Sequence, residues 1–81
     1  MILDVRTPSE YQAGHIAGAI NIDSRYFASS MKNLDKNDVY LVYCGSGTRS
    51  AQVSGLMASS GFAHVNNMKG GYTAWQSAGY P

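Results

Sequence analysis

Short apolar runs alternate along the chain with segments of helical character. The strongest run, residues 39–43, is nearly continuous in β-branched and aromatic side chains, which predicts a central strand covered on both faces. Three weaker runs predict further strands, at residues 2–5, 19–22 and 64–67. Because strands and helices alternate, with connections long enough for crossovers, the pattern predicts an α/β fold with a mostly parallel sheet and helices on its faces.

Capping signals mark the helices between these strands. Thr7, Pro8 and Glu10 have the spacing of a capping box with proline at the first helical position, so a helix begins there, and Gly14 interrupts it. Further helices are predicted over residues 25–32, over residues 50–60, and from Gly70-Gly71 to Gly79. The segment 44–49 therefore joins the central strand to a helix.

Composition and charge narrow the classes of function. The 81 residues suffice for one domain, and six basic against five acidic residues, with no cationic run, lead us to expect no nucleic-acid or membrane partner. The chain has no apolar stretch long enough to cross a bilayer and no signal-peptide pattern at its start, so we expect a cytoplasmic protein. A single cysteine excludes an internal disulfide and a cysteine-rich zinc site, and we expect no metal and no cofactor.

The segment after the central strand carries the candidate chemistry. Its two glycines allow the backbone to curl until several N–H groups point at one centre, and the following helix adds the positive end of its dipole. Lowering a thiol pKa by about two units requires roughly 2.7 kcal/mol of thiolate stabilisation, which such donors can supply. We therefore predict a reactive thiolate in a loop made of Cys44, Gly45, Ser46, Gly47, Thr48 and Arg49.

The number of residues in this loop limits the size of the anion that it can surround. Four residues separate Cys44 from Arg49, whereas phosphatases with a cysteine nucleophile have five, enough to surround a phosphoryl group. The smaller ring suits a terminal sulfur, so a phosphatase or an arsenate reductase is disfavoured. A regulatory or sulfur-relay binding module with the same fold is the other alternative, although the retained Cys44 and Arg49 argue against a purely regulatory role.

Several segments along the chain together match the pattern of a known family. They are 3–6, 10–11, 14–16, 18–19, 21–22, 44–50, 70–71, Trp75 and 79–81. The sequence at these positions resembles the rhodanese-like sulfurtransferases of the single-domain type. The resemblance implies a three-layer α/β/α fold with a mostly parallel sheet of four or five strands. It also implies that Cys44 takes sulfane sulfur from a donor such as thiosulfate, holds it as a persulfide, and passes it to a thiol, to cyanide or to a protein acceptor.

One departure from the family concerns the amino end. Members usually have a further strand and helix before the segment that begins here at Ile2. We therefore expect a rhodanese-like domain over residues 1–81 without that strand and helix, which is either a trimmed piece of a larger protein or a minimal version of the domain. Such a domain would have an exposed sheet edge and would be a monomer or a weak homodimer.

Several polar residues are expected to support the loop. Asp4 ends the first strand at the same edge as Cys44, and we predict that it pairs with Arg49. Arg6 is predicted to pair with Glu10 four residues later. Ser50, next to Arg49, completes the supporting set.

The remaining candidates have mainly structural interpretations. The hydroxyls of Ser46 and Thr48 either donate to bound sulfur or are only small loop residues. Structural roles are expected for His15, Tyr72 and Trp75. His64 has no second imidazole or carboxylate at ligand spacing, so we expect no metal site there.

Overall fold

A single parallel sheet organises the computed structural model, which describes residues 1–80. The strand order is β2-β1-β3-β4, and each neighbouring pair is parallel. The predicted α/β fold is confirmed, with four strands among the described residues. The strands are β1 (Ile2–Asp4), β2 (Ile20–Asn21), β3 (Val39–Tyr43) and β4 (His64–Asn67).

Within the described range, four α-helices connect and follow these strands. The first begins with the predicted capping box, in which Thr7 accepts from the Glu10 amide and the Glu10 side chain accepts from the Thr7 amide. The third begins at Thr48, two residues before the predicted start, so the last two residues of the loop form its first turn. The helices are α1 (Pro8–Ala13), α2 (Phe27–Ser30), α3 (Thr48–Ser59) and α4 (Gly71–Ser77).

The prediction of a single regular helix over residues 25–32 is wrong. The structure has α2 between two 3₁₀ turns, Ser24–Tyr26 and Met31–Asn33. The Ser29 hydroxyl competes for a backbone acceptor here, since it donates to the Tyr26 carbonyl. The chain therefore winds as one irregular helical segment.

Two apolar clusters cover opposite faces of the sheet. The first surrounds Val42 and includes Phe27 of α2 and Met57 of α3. The second surrounds Tyr43 and includes Tyr72 and Trp75 of α4. Helices on both faces make three layers, and β3 is the buried central strand that the sequence predicts. No helix in the described part of the chain has the length and apolar character to cross a membrane.

Candidate active site

Cys44 lies directly after β3, at the carboxyl edge of the sheet, and is only 1% exposed. The Gly47 amide donates to Sγ at 3.0 Å, and the Ser50 hydroxyl lies 3.4 Å from the same atom. Gly47 has φ +107°, in the left-handed region that favours glycine, and it is the cap residue of α3. The loop therefore turns its amides toward the sulfur as the chain enters the helix.

The environment of the sulfur favours the thiolate. Burial of Cys44 raises the pKa of its thiol, but the hydrogen bond with the Ser50 hydroxyl and those from the amides of Ser50, Gly47 and Ser46 outweigh burial. The pKa of the Cys44 thiol is consequently lower than its ordinary value. A larger thiolate fraction at neutral pH gives a stronger nucleophile.

The start of α4 holds the loop from the other side. The amides of Tyr72 and Thr73 donate to the carbonyls of Cys44 and Gly45, at 2.8 and 3.0 Å. Gly71 has φ +57°, and a methyl group added there would overlap the Cys44 carbonyl oxygen. The absence of a side chain at Gly71 therefore allows α4 to pack closely against the loop.

The two predicted ion pairs are wrong because the partners are exchanged. Asp4 pairs with Arg6, with Nη2 2.6 Å from Oδ2, and Arg49 pairs with Glu10, with Nη1 2.9 Å from Oε1. Residues two apart in an extended segment lie on the same side, so Asp4 and Arg6 meet locally. Glu10, in the first turn of α1, is then the carboxylate that Arg49 reaches.

The Asp4–Arg6 pair belongs to a buried network beneath the loop. The Tyr43 hydroxyl donates to Asp4 Oδ2 at 2.7 Å and accepts from the Ile16 amide at 3.1 Å. The Arg6 guanidinium lies 4.4 Å from the centre of the Tyr72 ring. This network joins β1 and β3 to α4, so both residues support the fold around the site.

Glu10 and Arg49 form a more exposed pair at the mouth of the loop. Their side chains are 40% and 38% exposed. The Arg49 guanidinium lowers the pKa of Glu10 to about 2, chiefly through its hydrogen bonds. Arg49 is therefore charge-paired in the structure yet accessible to an anion.

The hydroxyl residues of the loop differ in their environments. Ser46 and Thr48 are exposed, whereas Ser50 is fully buried. The Ser50 hydroxyl lies 2.5 Å from Asn67 Oδ1 and 3.2 Å from the Gly47 carbonyl oxygen. Asn67 was not among the predicted site residues, although a polar residue ending the strand beside β3 is a signal that could have identified it.

A cavity of about 300 Å³ opens beside the loop. It lies between α1 and α4, and Gly45 is the loop residue that borders it. Its lining includes Arg6, Glu10, Gly14, Tyr72 and Thr73. The cavity leaves room for a small molecule beside the Cys44–Arg49 loop.

The two histidines lie outside this constellation. His15 is hydrogen-bonded through Nδ1 to the Tyr11 carbonyl at 2.8 Å and stacks on the Tyr11 ring, which confirms a structural contact. His64 is exposed on β4. Within residues 1–80, no cluster of three histidine, cysteine or acidic side chains could hold a metal ion.

Comparison with known proteins agrees with this architecture. A model of the rhodanese-like domain matches residues 1–78. Thiosulfate sulfurtransferase GlpE of Pseudomonas entomophila is 35% identical, and the match covers 100% of this chain and 73% of that protein. Thiosulfate sulfurtransferase PspE of Escherichia coli is 39% identical, with coverages of 84% and 67%.

A solved structure gives the same result. The crystal structure of a rhodanese-related protein from Thermoplasma volcanium superposes with a TM-score of 0.93 and 35% identity, and covers 99% of this chain and 79% of that one. Sequence and structure thus agree over nearly the whole chain, which belongs to the family of rhodanese-like domains.

Proposed function

We propose that this protein is a sulfurtransferase that uses thiosulfate as donor and carries sulfane sulfur on Cys44. The observation that carries the proposal is the Cys44 thiol itself, held under the Gly47 amide with a lowered pKa. The relatives named thiosulfate sulfurtransferase support the choice of donor. The residues proposed to form the substrate loop are Gly45, Ser46, Gly47, Thr48 and Arg49.

The proposed reaction has two displacement steps. In the first, the Cys44 thiolate attacks the outer sulfur of thiosulfate, a new S–S bond forms, and sulfite leaves with the electron pair of the broken bond. In the second, cyanide or a thiolate attacks the outer sulfur of the persulfide, and Cys44 leaves as a thiolate. The products are thiocyanate or the persulfide of the acceptor.

The residues of the loop assist both steps through charge. The sulfur of Cys44 is anionic before the first step and after the second, and the amides that face it need no reorganisation to stabilise it. Arg49 is accessible to the doubly charged donor at the mouth of the loop. The cavity bordered by Gly45 gives the acceptor a route.

The proposal also includes a compartment. A lone nucleophilic thiol stays reduced most readily in the cytoplasm, where glutathione and thioredoxin act, so we propose that location.

Turnover with thiosulfate and cyanide tests the proposed function. We expect thiocyanate formation with ping-pong kinetics, and a loss of at least about a thousandfold in Cys44→Ser. Wild-type protein that forms no thiocyanate and charges no thiol acceptor with any sulfane donor would contradict the proposal. Cys44-dependent turnover of a phosphotyrosine analogue would instead favour the phosphatase alternative.

A further inference from the structure

We propose that Asn67 is a positioning residue that directs the Ser50 hydroxyl and thereby controls how easily Cys44 becomes a thiolate. The inference rests on the proposed function in one respect, namely that the Cys44 thiolate is the nucleophile. Asn67 lies on β4, outside the Cys44–Arg49 loop.

The Ser50 hydroxyl has a single hydrogen, for which several acceptors compete. Three acceptors surround Ser50 Oγ: Asn67 Oδ1 at 2.5 Å, the Gly47 carbonyl oxygen at 3.2 Å and Cys44 Sγ at 3.4 Å. A hydroxyl donates one hydrogen and accepts at its lone pairs. Ser50 is fully buried, so water does not resolve this competition.

The neutral thiol fits the contacts as they stand. The S–H group of Cys44 donates to Ser50 Oγ, and the Ser50 hydroxyl donates to Asn67 Oδ1, its shortest contact. In this series of hydrogen bonds, from Cys44 through Ser50 to Asn67, each hydrogen has an acceptor. Asn67, by accepting, holds the Ser50 hydrogen away from the sulfur.

The thiolate requires the opposite order. After the thiol proton has left for solvent, Sγ can only accept, so the Ser50 hydroxyl must turn and donate to it. Ser50 Oγ then needs a donor, and Asn67 supplies one if its amide turns Nδ2 toward Ser50. Asparagine can serve both states because it carries a donor and an acceptor on one amide.

The surroundings of Asn67 permit this turn. Asn67 is half-buried at the end of β4, an edge strand. Among residues 1–80 its side-chain amide is found in the hydrogen bond to Ser50 alone, so rotation breaks no other hydrogen bond between these residues. Asn66, the preceding residue, is exposed and points to the other face of the strand.

The charged groups near Cys44 are paired with one another. Arg49 of α3 interacts electrostatically with Cys44 and is paired with Glu10 of α1. Asp4 and Arg6, at and after the end of β1, neutralise each other. The hydroxyl of Ser50 is therefore the group whose direction must change with the charge of the sulfur.

A double-mutant cycle tests the coupling. The pKa of the thiol is read from the pH dependence of iodoacetamide alkylation in wild type, Ser50→Ala, Asn67→Asp and the double variant. A carboxylate at 67 only accepts and keeps the Ser50 hydrogen, so we expect Asn67→Asp to raise the thiol pKa by about one unit. In the Ser50→Ala background the same change should raise it by less than about half as much.

The matched control is Asn66→Asp, which adds the same charge one residue away on the exposed face. We expect it to leave the thiol pKa within about 0.2 unit of wild type, since exposed charges are screened. An equal shift from Asn67→Asp in both Ser50 backgrounds would show a direct charge effect and would overturn the proposal. No shift in Asn67→Asp would overturn it as well.

A second measurement needs no substitution at residue 67, in case Asn67→Asp fails to fold. The side-chain amide resonances of Asn67 should titrate with the pKa of Cys44, while those of Asn66 stay unchanged. In Ser50→Ala, Cys44 should still titrate and the response of Asn67 should be lost. Asn67 resonances that do not move through the thiol titration would overturn the proposal. Both readouts use the free thiol, so failure to transfer sulfur would contradict the proposed function and leave this inference standing.

Discussion

The Arg49 guanidinium donates to the Glu10 carboxylate across the mouth of the loop, with Nη1 2.9 Å from Oε1 and Nη2 3.3 Å from Oε2. The Glu10 carboxylate is thus bound to the guanidinium that an anionic sulfur donor would contact. If the donor binds Arg49 as proposed, it competes with Glu10 for this guanidinium.

Replacing Glu10 with glutamine should ease this competition. Glu10→Gln keeps the capping box of α1, because the side-chain oxygen of the new amide still accepts from the Thr7 amide. Exposed ion pairs contribute about 0.2–1 kcal/mol, so we expect kcat/KM for thiosulfate to rise by a factor of about 1.4 to 5. An uncharged organic trisulfide is the matched donor and should show no change. A fall in kcat/KM for thiosulfate would mean that Glu10 positions Arg49 for the donor.

The same pair makes a small, pH-dependent contribution to stability. The folded pKa of Glu10, about 2, lies below its ordinary value of 4.5, so the contribution is complete above pH 4.5 and is lost as the pH falls toward about 2. Because both side chains are more than a third exposed, it should not exceed about 1 kcal/mol. Urea unfolding of wild type and Glu10→Gln should show a stability difference that disappears between about pH 5 and pH 2. A difference that persists at the acid end of this range would contradict the assignment.

Gly71 should be intolerant of any side chain. Alanine there places a methyl group against the Cys44 carbonyl and forces a left-handed conformation, so Gly71→Ala should lose about 2–4 kcal/mol of unfolding free energy. Gly55→Ala is the control, since Gly55 is exposed within α3 and has nothing within 4 Å of an added methyl group. That change should stabilise the protein by about 0.5–1 kcal/mol. Equal effects of the two substitutions would refute the close approach at Gly71.

The network under the loop should depend on the Tyr43 hydroxyl. Tyr43→Phe removes the donor to Asp4 and leaves the buried Ile16 amide without its acceptor, at a cost of about 1–3 kcal/mol. Tyr26→Phe is the matched control because Tyr26 is 62% exposed, and it should change stability by less than about 0.5 kcal/mol. Chemical denaturation measures both, and a neutral Tyr43→Phe would contradict the network.

The sequence patterns predicted the fold well because the signals that set it are local. The run 39–43 required a covered strand, and Thr7 with Glu10 required a helix start, and both features are present. The helix over 25–32 was less predictable, since its serines compete with the backbone for hydrogen bonds.

The pairing within the site was less predictable for a different reason. The residue order from Cys44 to Arg49 identified the loop. The sequence could not show that Asp4 pairs with Arg6 or that Arg49 pairs with Glu10. Asn67 was not predicted because its contact with Ser50 depends on how closely β4 and α3 pack. Contacts between side chains of different elements are set by tertiary packing, which spacing along one chain does not encode.

The central claim, that Cys44 carries sulfur, is tested most directly by the intact mass of the protein after incubation with thiosulfate. We predict an increase by the mass of one sulfur atom, reversed by cyanide and absent in Cys44→Ser. No added sulfur on the wild-type protein, or an equal addition to Cys44→Ser, would contradict this account.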